Sequence, residues 1–208
     1  MTEITSVPIL TSHGRTKLDQ ITIISMQAVT AAPRVVISSE LDTTNLLSTS
    51  IFIHLGRKTE TAFTAGVNFR VETSSASSGN GYWFPITQFT SMLGTSVGSE
   101  AVNGACVAGQ KVIPLASTTG FTVGDIIYIS NPVEANDEFA RITIVTTNTS
   151  IEIEDNLRFA QTGATVYDQA EFYYALIDTS TAKRLRIVVD GSGAGQNFDV
   201  EIFATIGA

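Results

Sequence analysis

The sequence predicts an all-β protein: a β-sandwich, Ig-like or jelly-roll-like, with a small β-barrel-like unit inserted into it and an extended N-terminal arm. Three observations carry this. Apolar residues recur with period two, or in short β-branched runs bounded by Gly, Pro, Ser and Asn, which is the pattern of strands lying in a sheet. No amphipathic helical pattern runs longer than two turns. Polarity comes from Thr, Ser, Asn and Gly, since only 15% of the 208 residues are charged while 43% are hydrophobic, enough for a sizeable core.

Residues 1–17 read as an arm without sustained periodicity, yet they carry Ile4, Val7, Ile9 and Leu10. Two readings stand: these side chains dock on a partner surface, or the terminus frays. Strands follow at 21–26, 34–38, 50–55 and 67–72. In the last of these Val67, Phe69 and Val71 share one face and Asn68, Arg70 and Glu72 the other. A Ser- and Gly-rich loop spans 73–81, and residues 86–93 read as one or two helical turns.

Short strands at 111–115, 126–129, 140–145, 150–153 and 165–167 come at the close spacing of a curled sheet or small barrel. Longer strands return at 171–178, 184–190 and 199–206. In the last, Val200, Ile202 and Ala204 alternate with Asp199, Glu201 and Phe203. No repeat of fixed period is present. The expected organisation is arm 1–17, sandwich 18–105, inserted unit 106–167 and closing sandwich strands 168–208.

The formal net charge is −8, with the excess acid from Asp125 onward. That argues against a nucleic-acid partner and against a polybasic membrane contact. One cysteine, Cys106, excludes an internal disulfide and reads as a small buried hydrophobe. With no leader-like pattern and no membrane-length apolar run, the expectation is synthesis in a cytoplasm with no signal for export.

Chemistry-bearing constellations are sparse. His13 and His54 are the only histidines, and no nucleophile elbow accompanies them. A Cys106–His54 pair has no local support. Glu134, Asn136, Asp137 and Glu138 gather oxygen ligands in one loop without EF-hand spacing, leaving a loop calcium site or a solvated acidic loop. Glu152 and Glu154 share one strand face, about 6.5 to 7 Å apart along the backbone, near the separation of inverting glycosidases. The same alternation is that of any strand with its acids in water. The Gly-rich run at 191–195 precedes a strand, so it reads as a hairpin turn and not a phosphate cradle. No catalytic residue, cofactor or metal is expected. Tyr82, Trp83 and Phe84 form an aromatic cluster that reads as core or subunit interface, the alternative being a ligand site.

The segment TGFTVGDIIYI (119–129), followed by EFARITIV (138–145), TSIEIEDNL (149–157) and GATV (163–166), resembles a small β module of tailed-bacteriophage virion proteins. Its marks are the GF-x-x-GD turn and the closing G-A-x-V, over about a quarter of the chain. Residues 171–208 resemble the closing strands of phage head decoration or cement proteins, while the N-terminal half matches no one family by motif. The resemblance implies a non-enzymatic virion protein on the capsid exterior, made in the host cytoplasm. It would bridge major capsid protein subunits and self-associate, as a trimer in preference to a dimer. Ile4, Val7, Ile9, Leu10, Tyr82, Trp83 and Phe84 would then supply partner contacts. The alternatives are a low-copy neck, tail or fibre component, or a host-surface or carbohydrate-binding module with Tyr82 and Trp83 lining its site.

Overall fold

The computed structural model describes residues 19–29, 34–38, 40–44, 46–58, 67–79, 81–91, 98–191 and 198–207. The arm at 1–17, with Ile4, Val7, Ile9, Leu10 and His13, lies outside the described residues, as do residues 192–195 of the Gly-rich turn. In chain order the strands are β1 (Asp19–Val29), β2 (Arg34–Ile37), β3 (Leu41–Asp42), β4 (Ser48–Arg57), β5 (Val67–Ser74), β6 (Phe84–Thr90), β7 (Ser99–Ala101), β8 (Val112–Pro114), β9 (Ile126–Ser130), β10 (Glu138–Thr146), β11 (Ser150–Ile153), β12 (Thr165–Tyr167), β13 (Ala170–Asp178), β14 (Arg184–Gly191) and β15 (Phe198–Gly207). The protein is all-β. Its one short helical element among the described residues is a 3-10 turn at Glu134–Asn136.

Two antiparallel sheets form the sandwich. One has the order β1-β15-β4-β13, and the other β2-β14-β5-β6 with β3 also paired to β14. Both ends of the chain therefore contribute to each sheet. Period-two patterning turns one side of each strand inward: Ile51, Ile53 and Leu55 of β4 and Val200, Ile202 and Ala204 of β15 face Val67, Phe69 and Val71 of β5 and Leu185, Ile187 and Val189 of β14. All twelve are fully buried. At about 2–5 kcal/mol for truncating a buried Ile or Leu to Ala, this layer dominates stability.

Within the stretch expected to be helical, residues 86–90 are strand and not helical turns, while 92 and 93 lie outside the described residues. Residues 84–90 pair with β5 instead, Phe89 opposite Phe69 and Thr87 opposite Val71, with a bulge at Ile86. The apolar run is short enough to suit either state, and the neighbouring ladder supplies the backbone partners that an isolated turn lacks.

The inserted unit is a six-stranded sheet, β7-β12-β9-β10-β11-β8. Its edges meet: Val102 and Leu115 form an antiparallel bridge, and Asn103 N–H donates to the Pro114 carbonyl at 2.8 Å. The sheet thus curls into a small barrel around Cys106, Ile113, Leu115, Ile127, Ile129, Ile142, Ile151, Ile153 and Val166. It begins at Ser99, ahead of residue 106. β10 turns the corner, pairing β9 through Arg141 and β11 from Ile142 onward, with an irregularity at Ile142/Ile144. The GF-x-x-GD turn has a physical rationale. Phe121 is buried as an anchor, Gly124 takes φ +99°, and the Asp125 carboxylate accepts the Thr122 N–H at 2.8 Å.

Candidate partner interface on the sandwich

The inward-facing residues build the core, so whatever the sandwich does beyond folding falls to its two outer faces. On the four-stranded sheet, cross-strand register aligns three rows: Glu201–His54–Phe172, Phe203–Phe52–Tyr174 and Thr205–Ser50–Leu176. The result is an aromatic stripe. His54 stacks on Phe172 with ring centroids 4.1 Å apart and meets Phe203 edge-on at 5.6 Å, while Phe52 lies 5.1 Å from Tyr174. His54 is therefore a strand residue held in a ring cluster, with Glu201 at 3.7 Å.

The barrel covers only one end of this stripe. Phe139 of β10 packs against both His54 and Phe172, at 5.3 and 5.5 Å. Tyr128 of β9 lies over Gly56, where a Cβ would stand 2.5 Å from ring carbons. Glycine is required there because the ring occupies the space a side chain would take. Away from the barrel the stripe opens: Phe172, which Phe139 covers in part, is 44% exposed, and Tyr174 and Leu176 are 55% and 64% exposed. They lie along β13, an edge of its sheet.

The outer face of the other sheet has different chemistry. Arg186 pairs with Glu72 at 2.7 Å, and Arg184 pairs with Glu40 while donating to the carbonyls of Ala76 and Gly79. Trp83 lies against both guanidinium groups, 5.0 Å from Arg184 and 4.2 Å from Arg186. The aromatic cluster of the sequence is thus divided. Trp83 is half-buried against its own chain, whereas Tyr82 and Phe84 are exposed, 86% and 61%, on the approach to and start of edge strand β6. Pro85 and the bulge at Ile86 interrupt that edge.

Other sequence candidates find internal partners. Cys106 is buried in the barrel core, where burial pushes its thiol up and Gln110 Nε2–H donates to its sulfur at 3.1 Å. The Glu138 carboxylate accepts the N–H groups of Arg158 and Phe159 and the Gln161 amide, and Asp137 accepts the Asn131 N–H. Among the described residues no group of three or more His, Cys, Asp or Glu is placed to hold a metal. Glu154 pairs with Arg141 at 3.7 Å and lines an open cleft of about 280 Å³ between barrel and sandwich, with Phe139 and Phe172. Glu152 does not line it, so the two carboxylates do not converge.

Sequence reasoning missed Phe172, Tyr174 and Leu176, although β13 was expected. The available signal was that the strand is apolar on both faces, which calls for cover on both.

No protein-family model matches the chain, and no curated protein matches it. Solved structures with weak similarity include two of viral origin. One is a structure of infectious bursal disease virus, Gt strain, at TM-score 0.25 and 10% identity, covering 98% of this chain and 43% of that one. The other is VP17, a capsid protein of bacteriophage P23-77, at TM-score 0.22 and 11% identity, covering 91% of this chain and 95% of that one. The chain spans less than half the length of the first.

Proposed function

We propose that this protein is a non-enzymatic structural component of a virus particle, and within that class a capsid decoration or cement protein that bridges neighbouring major capsid protein subunits from the outside. The open half of the aromatic stripe carries the reading. Phe172, Tyr174 and Leu176 sit on a strand paired along its length with β4, in line with aromatic contacts already used to hold the barrel, and exposed aromatic patches of this kind supply much of the energy of protein interfaces. The resemblance of residues 119–166 to a phage virion module supports the particle setting. Tyr82 and Phe84, at the start of the opposite sheet's edge, would give a second contact, as a bridging protein requires. The arm residues Ile4, Val7, Ile9 and Leu10 would add a third.

Counting copies in purified particles against the major shell protein tests this. A fixed simple ratio supports a lattice-wide decoration protein. A handful of copies points to a neck, tail or fibre component. Absence from particles leaves a free binding module.

A further inference from the structure

We propose that one carboxyl proton, held by Asp137, latches the barrel onto the sandwich, and that this latch tightens on acidification. The Tyr128 hydroxyl lies against two carboxylates from different units: Asp137, just after the 3-10 turn, and Asp199, at the start of β15. A phenol has one proton to donate. It serves one carboxylate, so the second contact requires a proton on the other. Lys58 Nζ lies 2.6 Å from Asp199 Oδ2, which matches the charge of that group and makes it the acceptor. Asp137 Oδ1 accepts the Asn131 N–H at 2.6 Å, leaving Oδ2 to carry the proton toward the Tyr128 oxygen.

With the proton in place, hydrogen bonds run from Asp137 through Tyr128 to Asp199 and Lys58, and the set is neutral. Without it, two buried carboxylates compete for one hydroxyl beside one ammonium, a costly arrangement in a site closed to water. Asp137 and Asp199 are 3% and 0% exposed. Burial favours the protonated set and outweighs the Asn131 N–H and the Lys58 charge, which pull the other way. Glu134 on the 3-10 turn adds negative potential, and Tyr167 of β12 stacks on Tyr128 at 6.1 Å. β10 contributes Phe139 and Glu138, the latter committed to backbone N–H groups. Arg57, at the end of β4, faces Glu171 and Asp168. β1 brings Ala28 and Val29 to this level, neither of which titrates. Burial raises the Asp137 carboxyl to about 6 and raises Asp199 as well.

The test is amide hydrogen exchange of Asn131 in the full chain, expressed as a protection factor. If opening the junction returns Asp137 to its ordinary value of 3.8, protection should rise about tenfold between about pH 7.5 and about pH 5. In Asp137→Asn, whose amide donates at every pH, the rise should vanish. Equal wild-type protection at both pH values, or a rise that persists in Asp137→Asn, would overturn the latch. Should that variant not fold, carboxyl-carbon titration of the wild-type protein decides: an Asp137 midpoint near 6 upholds the proposal, and one near 4 refutes it.

Discussion

The two outer faces of the sandwich are built on the same strand geometry and carry opposite chemistry. On the β14 side, Arg184, Arg186, Glu72 and Glu40 are paired, and Trp83 lies against the guanidinium groups. That face is satisfied within its own chain. On the β4 side, Phe52, His54, Phe172, Tyr174 and Phe203 form a stripe that the barrel covers at one end and leaves open at the other. The difference favours the β4 side as the surface for the partner proposed above. Charged groups with internal partners gain little from a new contact, whereas exposed aromatic area has still to leave water.

Substitutions can break this comparison, beginning with the covered end of the stripe. Gly56→Ala drives a Cβ into the Tyr128 ring, and should cost about 2–3 kcal/mol by denaturant unfolding. A variant as stable as wild type would mean that the barrel does not seat there. Trp83→Ala removes the ring that lies against Arg184 and Arg186. A loss of about 1–2 kcal/mol is expected, from lost burial and cation–π contact. Full stability combined with lost particle binding would move Trp83 from an internal role to a partner-facing one.

The junction should respond to pH in a defined direction. Asp137 has a raised carboxyl, at about 6 against an ordinary 3.8. The folded state therefore holds a proton that the opened state releases across that window. The stabilisation is complete below about pH 4 and is lost as pH rises through about 6. Thermal unfolding of wild type and Asp137→Asn should diverge across that interval, with wild type gaining on acidification relative to the variant. Parallel curves would remove the linkage.

The smallest effect on stability is expected at the open end. The double substitution Tyr174→Ser, Leu176→Ser removes side chains that are 55% and 64% exposed, and should change stability by no more than about 0.5 kcal/mol. Binding to particles lacking the protein should nevertheless fall sharply in a sedimentation assay. Undiminished binding would assign the contact to another surface, with Tyr82 and Phe84 the next to substitute.

Much of the fold was legible because its signals are local. The alternation in β5 and β15, the short strands of the barrel and the turn at Gly124 each follow from neighbouring residues. The helical reading failed over 86–90 because a short apolar run does not distinguish helix from strand, and β5 decided it. The candidate interface was only partly legible. Tyr82, Trp83 and Phe84 are adjacent in sequence and look alike, yet Trp83 meets two arginines about a hundred positions away on β14. Phe172, Tyr174 and Leu176 became a surface feature only when β13 took an edge position.

The sequence alone determined the all-β class, the inward face of most strands, a buried lone cysteine and the presence of a compact β unit in the interior of the chain. Each follows from side-chain periodicity or composition, which act over a few residues. Tertiary structure decided which outer face is satisfied and which is open. It also brought Tyr128, Asp137, Asp199 and Lys58 together at one junction. Those outcomes depend on which strands become neighbours, and strand pairing joins residues whose separation along the chain carries no trace of their contact.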